Sequence, residues 1–117
     1  MKKNIVIILA SILSFAVASS VHARGTATGT VSKLTASGSV TNIFLSTAAT
    51  AVNGETRPGC ATRDDIFTLS SSQKNQLAIL LTAMALGSEV KINGNDMCTN
   101  KSDAEDASSV QIVSSGS

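Results

Sequence analysis

The sequence contains no tryptophan, no tyrosine and a single histidine, His22. His22 lies in a segment that reads as a removable leader, so the mature chain has no imidazole to serve as a general base for a serine. This excludes a Ser-His catalytic triad. A glycine-rich phosphate loop and a Cys-x-x-Cys motif are also missing from the sequence. We therefore predict a protein that is not an enzyme and that has no cofactor.

Positive charge is equally scarce. Lys2 and Lys3 belong to the leader, which leaves seven basic residues against eight acidic ones, a net charge near −1. Such a chain has no field that attracts nucleic acid or anionic lipid. After the leader it has only Phe44 and Phe67 as aromatic side chains on which bases would stack. We predict no nucleic-acid binding and no membrane insertion.

The one long apolar run lies near the amino terminus, as IVIILASILSFAVA. It follows two lysines and precedes small residues at Val21 and Ala23, which is the pattern of a secretory signal peptide. The run is too short to span a bilayer well, which disfavours the alternative of a retained membrane anchor. We predict a signal peptide over residues 1–23, cleavage after Ala23, and a secreted or periplasmic product.

Two cysteines, Cys60 and Cys98, lie in the exported part of the chain. In an oxidising compartment two cysteines most simply form one disulfide bond. On the chain-entropy estimate, closing a loop of this length contributes roughly 3–4 kcal/mol.

The first half of the mature chain favours a β-hairpin. Strands are predicted over Thr28–Ala36 and Val40–Ala48, joined by a tight turn at SGS, and the preceding RGTATG reads as a loose tail. Val31 and Leu34 would face opposite sides of a regular strand, and a β-bulge between them would reconcile the two.

The second half continues with a strand in CATRDDIFTLS, a helix from Ser71 to Leu86, and strands in SEVKIN and SVQIV. Ser70 and Gln73 fit a capping box, and Gly87 is a natural helix stop. The order β-β-β-α-β-β predicts a mainly β chain with one helix, an OB-fold small barrel. Residues 24–117 would form this single domain, with loose ends.

The predicted helix is apolar on two sides. One stripe would seal the barrel and the other would face a second copy of the chain, because so small a domain cannot bury both. The alternative is that the second stripe rests against the 49–59 loop. The barrel stripe consists of Leu77, Leu80, Leu81 and Met84, and the oligomer-interface stripe of Ile79, Ala83 and Leu86.

Acidic residues cluster in GNDMCTNKSDAEDAS. Their spacing matches no EF-hand loop, so a solvated loop is predicted and no metal site. Asp64 and Asp65 are adjacent in a predicted strand and would point to opposite faces, so they cannot share a proton.

The segment FTLSSSQKNQLAILLTAMALGSEVKIN resembles the binding (B) subunits of one-A, five-B bacterial toxins, with an element order similar to the Shiga-toxin type. RPGCATRDDIFTLS, followed by a helix and a later cysteine, is more similar to subtilase-cytotoxin B subunits and their secreted relatives. The resemblance covers about residues 57–113. It implies an OB-fold domain in a ring pentamer with helices around a pore. It further implies cell-surface glycan binding, a separate catalytic A chain, and a disulfide between the third strand and the segment after the fourth.

A glycan site would here rely on hydroxyls, amides and charges, because sugars usually stack on an aromatic face and aromatics are scarce. Asn53, Glu55 and Arg57 are candidates, with Asn93, Asn95 and Asp96 as alternatives. The predicted function is a secreted, non-catalytic, glycan-binding ring subunit. The alternative is a periplasmic or extracellular OB-fold structural or stress protein that binds a protein partner.

Overall fold

The computed structural model describes residues 24–52 and 56–113. The predicted signal peptide, residues 1–23, lies outside the described residues, as do residues 53–55 and 114–117. The elements in chain order are β1 (Gly25–Ser37), β2 (Val40–Leu45), β3 (Thr50–Ala51), β4 (Ile66–Ser70), α1 (Lys74–Leu86), β5 (Glu89–Gly94) and β6 (Glu105–Ile112).

Five of these strands close into a ring. The sheet order is β2-β4-β6-β5-β1-β3, and β1 also pairs with β2, so the two ends of the sheet meet. All pairings are antiparallel except that of β4 with β6. The short strand β3 adds two residues beside the start of β1. The structure thus confirms the predicted mainly β chain with one helix, and it shows that five of the strands close into a ring.

Strand β1 makes the closure possible because it changes partner along its length. Its first half pairs with β5 and its second half with β2. The register shifts between Val31 and Lys33, which is the predicted bulge. The shift brings Leu34 against the core that already contains buried Val31. Gly38 starts the two-residue hairpin turn with a φ of 61°, a conformation that glycine adopts without strain.

The predicted loose tail at the amino terminus is corrected by the structure. Residues 25–30 are part of β1, paired with β5 and β3. Their small side chains reflect close packing, since a Cβ at Gly29 would lie 2.6 Å from the hydroxyl of Thr47. Composition alone suggests a tail here because so few side chains look able to contribute to a core.

Helix α1 begins at Lys74, three residues later than predicted, because Gln73 is engaged in the sheet. The Gln73 amide accepts a hydrogen bond from the backbone of Ser70 at 3.0 Å and donates one to Ala107 O at 2.8 Å. It therefore joins the end of β4 to β6, and only this half of the predicted capping box forms. The stop at Gly87 is confirmed, with a φ of 65° and a bond from Ser88 N to Ala83 O.

The faces of α1 differ from the predicted stripes. Leu80 and Ala83 are fully buried, and Leu77 and Ile79 pack against the core. Exposure is 53% for Leu81, 41% for Met84 and 70% for Leu86. Relative to the prediction, the helix is rotated by about a quarter turn.

Hydrogen bonds from two glutamines explain the rotation. Gln73 and Gln76 donate to the carbonyls of Ala107 and Ser108 on β6, and so they turn their side of the helix toward the sheet. Ala83, predicted on the neighbour-facing stripe, lies on that same side and belongs to the chain's own core.

The core fills the space between the ring and α1, with Phe67, Ile43, Leu69, Val90 and Ile92 among its fully buried members. The predicted disulfide is confirmed: Cys60 and Cys98 are bonded, with Cα atoms 6.2 Å apart. The bond ties the segment before β4 to residues 95–104, which connect β5 to β6 and are called the 95–104 loop below.

Candidate ligand-binding groove

A cavity of about 290 Å³ opens between the end of the β1–β2 hairpin and the 95–104 loop. Its walls provide one hydroxyl, two amides, one ammonium group and one small apolar side chain. The lining residues, which define the groove, are Ser37, Val40, Asn42, Asn100 and Lys101.

The hairpin wall of the groove belongs to the ring of strands. Asn42 lies in the middle of β2, opposite Thr35, and its Nδ2 donates to the Thr35 hydroxyl at 3.2 Å. Its Oδ1 has no donor among the described residues. This oxygen is itself buried.

The opposite wall is formed by Asn100 and Lys101, and a buried carboxylate fixes its backbone. Asp106 accepts hydrogen bonds from the amides of Thr99 at 3.0 Å and Asn100 at 3.1 Å. The Thr99 hydroxyl also donates to it, and so does the Thr68 hydroxyl at 3.2 Å. This coordination compensates for the cost of burying the charge.

The side chains of this wall are also held. Asn100 Nδ2 donates to the Thr68 hydroxyl at 3.3 Å, and Lys101 Nζ lies 2.7 Å from a carboxylate oxygen of Asp103. The hydrogen bond from Lys101 lowers the pKa of Asp103. The side chains of Lys101 and Asp103 are both partly exposed, and Lys101 lines the groove.

Glu105 anchors the start of the same loop. Its carboxylate accepts hydrogen bonds from the amides of Gly25 at 2.9 Å and Asp96 at 3.0 Å. Burial raises the pKa of Glu105, and these two bonds and the nearby Arg57 oppose the rise. Gly94 lies directly against the carboxylate, since a Cβ at that position would overlap it.

The prediction of a solvated acidic loop is therefore wrong for Glu105 and Asp106, which are buried. Their carboxylates accept backbone amides from Gly25, 80 positions away, and from Asp96, Thr99 and Asn100 in the 95–104 loop itself. Among residues 24–52 and 56–113, no three His, Cys, Asp or Glu side chains are placed to hold a metal ion.

Of the predicted glycan residues, only Arg57 is described by the structure, and it does not line the groove. Asn53 and Glu55 lie outside the described residues, and Arg57 donates its guanidinium hydrogens to the carbonyls of Ala61 and Arg63. Arg57 thus holds the segment before β4 in shape.

Of the alternative candidates for a sugar site, Asn93 bonds the Ser109 hydroxyl, and Asn95 accepts the amide of Met97. Asp96 donates its backbone amide to Glu105. None of the three lines the groove.

Sequence reasoning missed Asn42, Asn100 and Lys101. The one available signal was Asn42 itself, a polar amide inside the apolar strand VTNIFL. Asn100 and Lys101 carry no local signal, because their place opposite β2 depends on the course of the 95–104 loop.

The two adjacent aspartates lie just before β4, not within it as predicted. Arg63 forms a two-point ion pair with Asp65 at 3.0 Å, which lowers the pKa of Asp65. This pair is exposed and stabilises the local turn at most modestly.

Within the described part of the chain, no helix has both the length and the apolar character to cross a bilayer. Comparison of the chain with protein-family models, with curated proteins and with solved structures found no match.

Proposed function

We propose that the chain is a secreted, non-catalytic OB-fold subunit that binds cell-surface glycans through the groove. In this proposal it assembles as a ring homo-oligomer, a pentamer, and carries a partner chain of the A type. The observation that carries the proposal is the position of the groove, between the first hairpin turn and the loop that precedes the last strand. Oligosaccharide-binding OB-folds use the corresponding loops.

The strand connections support an OB-fold. If β3 is set aside as a short addition, the five remaining strands follow the spatial order first, second, third, fifth, fourth and back to the first. The third and fifth of these, β4 and β6, are the parallel pair, and the helix lies between the third and fourth. A small Greek-key barrel has this arrangement.

The chemistry of the groove suits a sugar. Asn42, Asn100 and Ser37 offer donors and acceptors that match ring hydroxyls, and Val40 offers a small apolar contact. The volume lies near the low end of the range for small-molecule sites, about 300–1,000 Å³, which suits a terminal sugar residue. With no aromatic side chain among the lining residues, each groove would bind weakly.

A ring would compensate for weak single sites, since several grooves engaging one cell surface gain affinity by multivalency. The exposed apolar side chains of α1 support self-association. Leu81, Met84 and Leu86 lie on a helix whose only charged residue is Lys74. A second copy of the chain would cover this face without burying a charge.

A glycan array tests the proposal with two matched variants of the mature protein. Lys101→Ala removes the ammonium group in the groove, and Lys74→Ala removes the same charge from the exposed start of α1. We expect Lys101→Ala to weaken binding about tenfold, equivalent to about 1.4 kcal/mol, and Lys74→Ala to bind as the wild type does. Absence of wild-type binding to every glycan, or equal loss in both variants, would contradict the proposal.

The exposed face of α1 also supports a second candidate, an OB-fold structural or stress protein of the periplasm or cell exterior that binds a different protein. This reading predicts a monomer with a blank glycan array and a stoichiometric complex with another protein. Leu86→Asp would abolish that complex, whereas Lys101→Ala would not affect it.

A further inference from the structure

We infer that Asp106 is the positioning residue of the groove, acting on a bound glycan through Asn100 and Lys101 without touching it. This inference rests on the proposed function. Asp106 is 4% exposed and is not a lining residue. Its effect on a ligand would pass entirely through the wall that it holds.

The hydrogen bonds of Asp106 converge on the part of the loop that forms the wall. Its two oxygens accept the amides of Thr99 and Asn100 and the hydroxyl of Thr99. These amides immediately precede the Asn100 side chain and Lys101. Loss of the acceptor would leave two consecutive peptide groups free to turn, and both lining side chains would move with them.

A second connection reaches the Asn100 side chain. The Thr68 hydroxyl donates to Asp106 and accepts from Asn100 Nδ2. Thr68 and Asp106 are paired across the parallel strands β4 and β6, so this connection is built on the ring of strands. The Asp106 carboxylate therefore holds the backbone of Asn100 directly and its side chain through Thr68.

Other parts of the loop have independent anchors. Cys98 is bonded to Cys60, and the Asp96 amide is held by Glu105. We therefore expect the chain to stay folded, with the loop still attached, when Asp106 alone is changed. Glu105 provides a matched control, because it is also a buried carboxylate on β6 that binds backbone amides, but those amides, of Gly25 and Asp96, lie outside the groove.

The experiment combines amide hydrogen exchange with glycan affinity for Asp106→Ala, Asp106→Asn and Glu105→Gln. Asp106→Ala should speed exchange at Thr99 and Asn100 at least tenfold and weaken binding of the best array glycan at least tenfold. Asp106→Asn keeps one acceptor oxygen and should recover part of both effects. Glu105→Gln should change exchange at Gly25 and Asp96 while leaving affinity within about twofold.

Two results would overturn the inference. One is unchanged exchange at Thr99 and Asn100 in Asp106→Ala; the other is faster exchange with unchanged affinity. Equal loss of affinity in Glu105→Gln would show that general destabilisation, not positioning, is responsible. If the wild type binds no glycan, the proposed function fails, and the exchange rates by themselves decide whether Asp106 fixes this wall.

Thr68→Val, which removes only the hydroxyl, should lower affinity less than Asp106→Ala does.

Discussion

Replacing Gly94 by alanine tests the buried carboxylate at the base of the 95–104 loop. Gly94 has no positive φ, so its backbone accepts an alanine. The new Cβ would overlap the carboxyl group of Glu105. That group cannot turn away freely, since it is buried and holds the amides of Gly25 and Asp96.

The expected loss of stability follows from the packing and the hydrogen bonds that the substitution disrupts. Overpacking a tight site costs about 1–3 kcal/mol. Displacing the carboxylate also breaks two hydrogen bonds to a charged group, each worth about 1.5–3 kcal/mol. Partial relaxation makes these costs less than additive, and we expect Gly94→Ala to lower the free energy of unfolding by about 3 kcal/mol. Without the overlap, the same substitution would stabilise the chain by about 0.4–1 kcal/mol by restricting the unfolded state.

A double-mutant cycle in chemical denaturation, at one fixed protein concentration, isolates the contact. Glu105→Ala alone leaves two buried amides without an acceptor and should cost about 3 kcal/mol. Adding Gly94→Ala to it should cost little more, because the methyl group enters the space that Glu105 has vacated. The coupling energy should be about 2–3 kcal/mol.

Gly59→Ala is the matched control, since open space surrounds that position. We expect it to change the free energy of unfolding by less than about 1 kcal/mol. Additive costs for Gly94→Ala and Glu105→Ala, or a neutral Gly94→Ala, would refute the described packing.

Three further predictions follow from the other features. Thiol labelling of the native protein should be silent, and two reactive thiols would contradict the disulfide bond. Replacing both Cys60 and Cys98 by serine should lower the free energy of unfolding by about 4 kcal/mol, as the 38-residue separation implies. Leu86→Asp should convert an oligomer to monomers in light scattering with little change in stability. Met97→Asp, at an exposed apolar residue outside α1, should leave the oligomer intact. An unchanged mass in Leu86→Asp would remove the argument for self-association. Because the pKa of Glu105 is raised in the folded state, protonation of Glu105 stabilises the fold. This contribution is complete below the ordinary pKa of 4.5 and is lost as the pH rises through the raised pKa. The stability difference between wild type and Glu105→Gln should therefore shift in favour of the wild type on going from pH 7 to pH 4, and a shift in the opposite direction would contradict the burial of this charge.

Local patterns predicted the local parts of the fold. The hairpin turn at Gly38, the bulge after Val31 and the helix stop at Gly87 each depend on a few neighbouring residues, and the structure contains all three. The disulfide between Cys60 and Cys98 followed from the count of cysteines in an exported chain. These features need no knowledge of how distant segments meet.

Two of the errors share one physical origin, which is a polar side chain whose hydrogen-bond partner lies far away in the sequence. Glu105 reads as solvated because charged residues are normally exposed, yet its first partner, Gly25, is 80 positions away. Gln73 was predicted only as part of a capping box, yet its amide also donates a hydrogen bond to the carbonyl of Ala107 on β6, 34 positions away. Hydropathy alone cannot reveal an acceptor or donor that only the fold supplies.

The groove was hidden for the same reason. Its walls come from the hairpin, which includes Asn42, and from the 95–104 loop, which includes Asn100, and these residues lie far apart in sequence. Asn42 is a polar exception in its apolar strand, but nothing in either segment indicates that the two walls meet. The site exists because the disulfide and Asp106 hold this part of the loop against the ring of strands.

The most direct test of the proposed site is a nuclear magnetic resonance titration of the labelled mature protein with the strongest glycan from the array. Binding in the groove predicts saturable shifts in the backbone amides of Ser37, Asn42, Asn100 and Lys101, and no shifts in the amides of residues 57–63. Shifts centred on residues 57–63 or on α1, with the groove amides unmoved, would contradict the assignment of the groove as the glycan site.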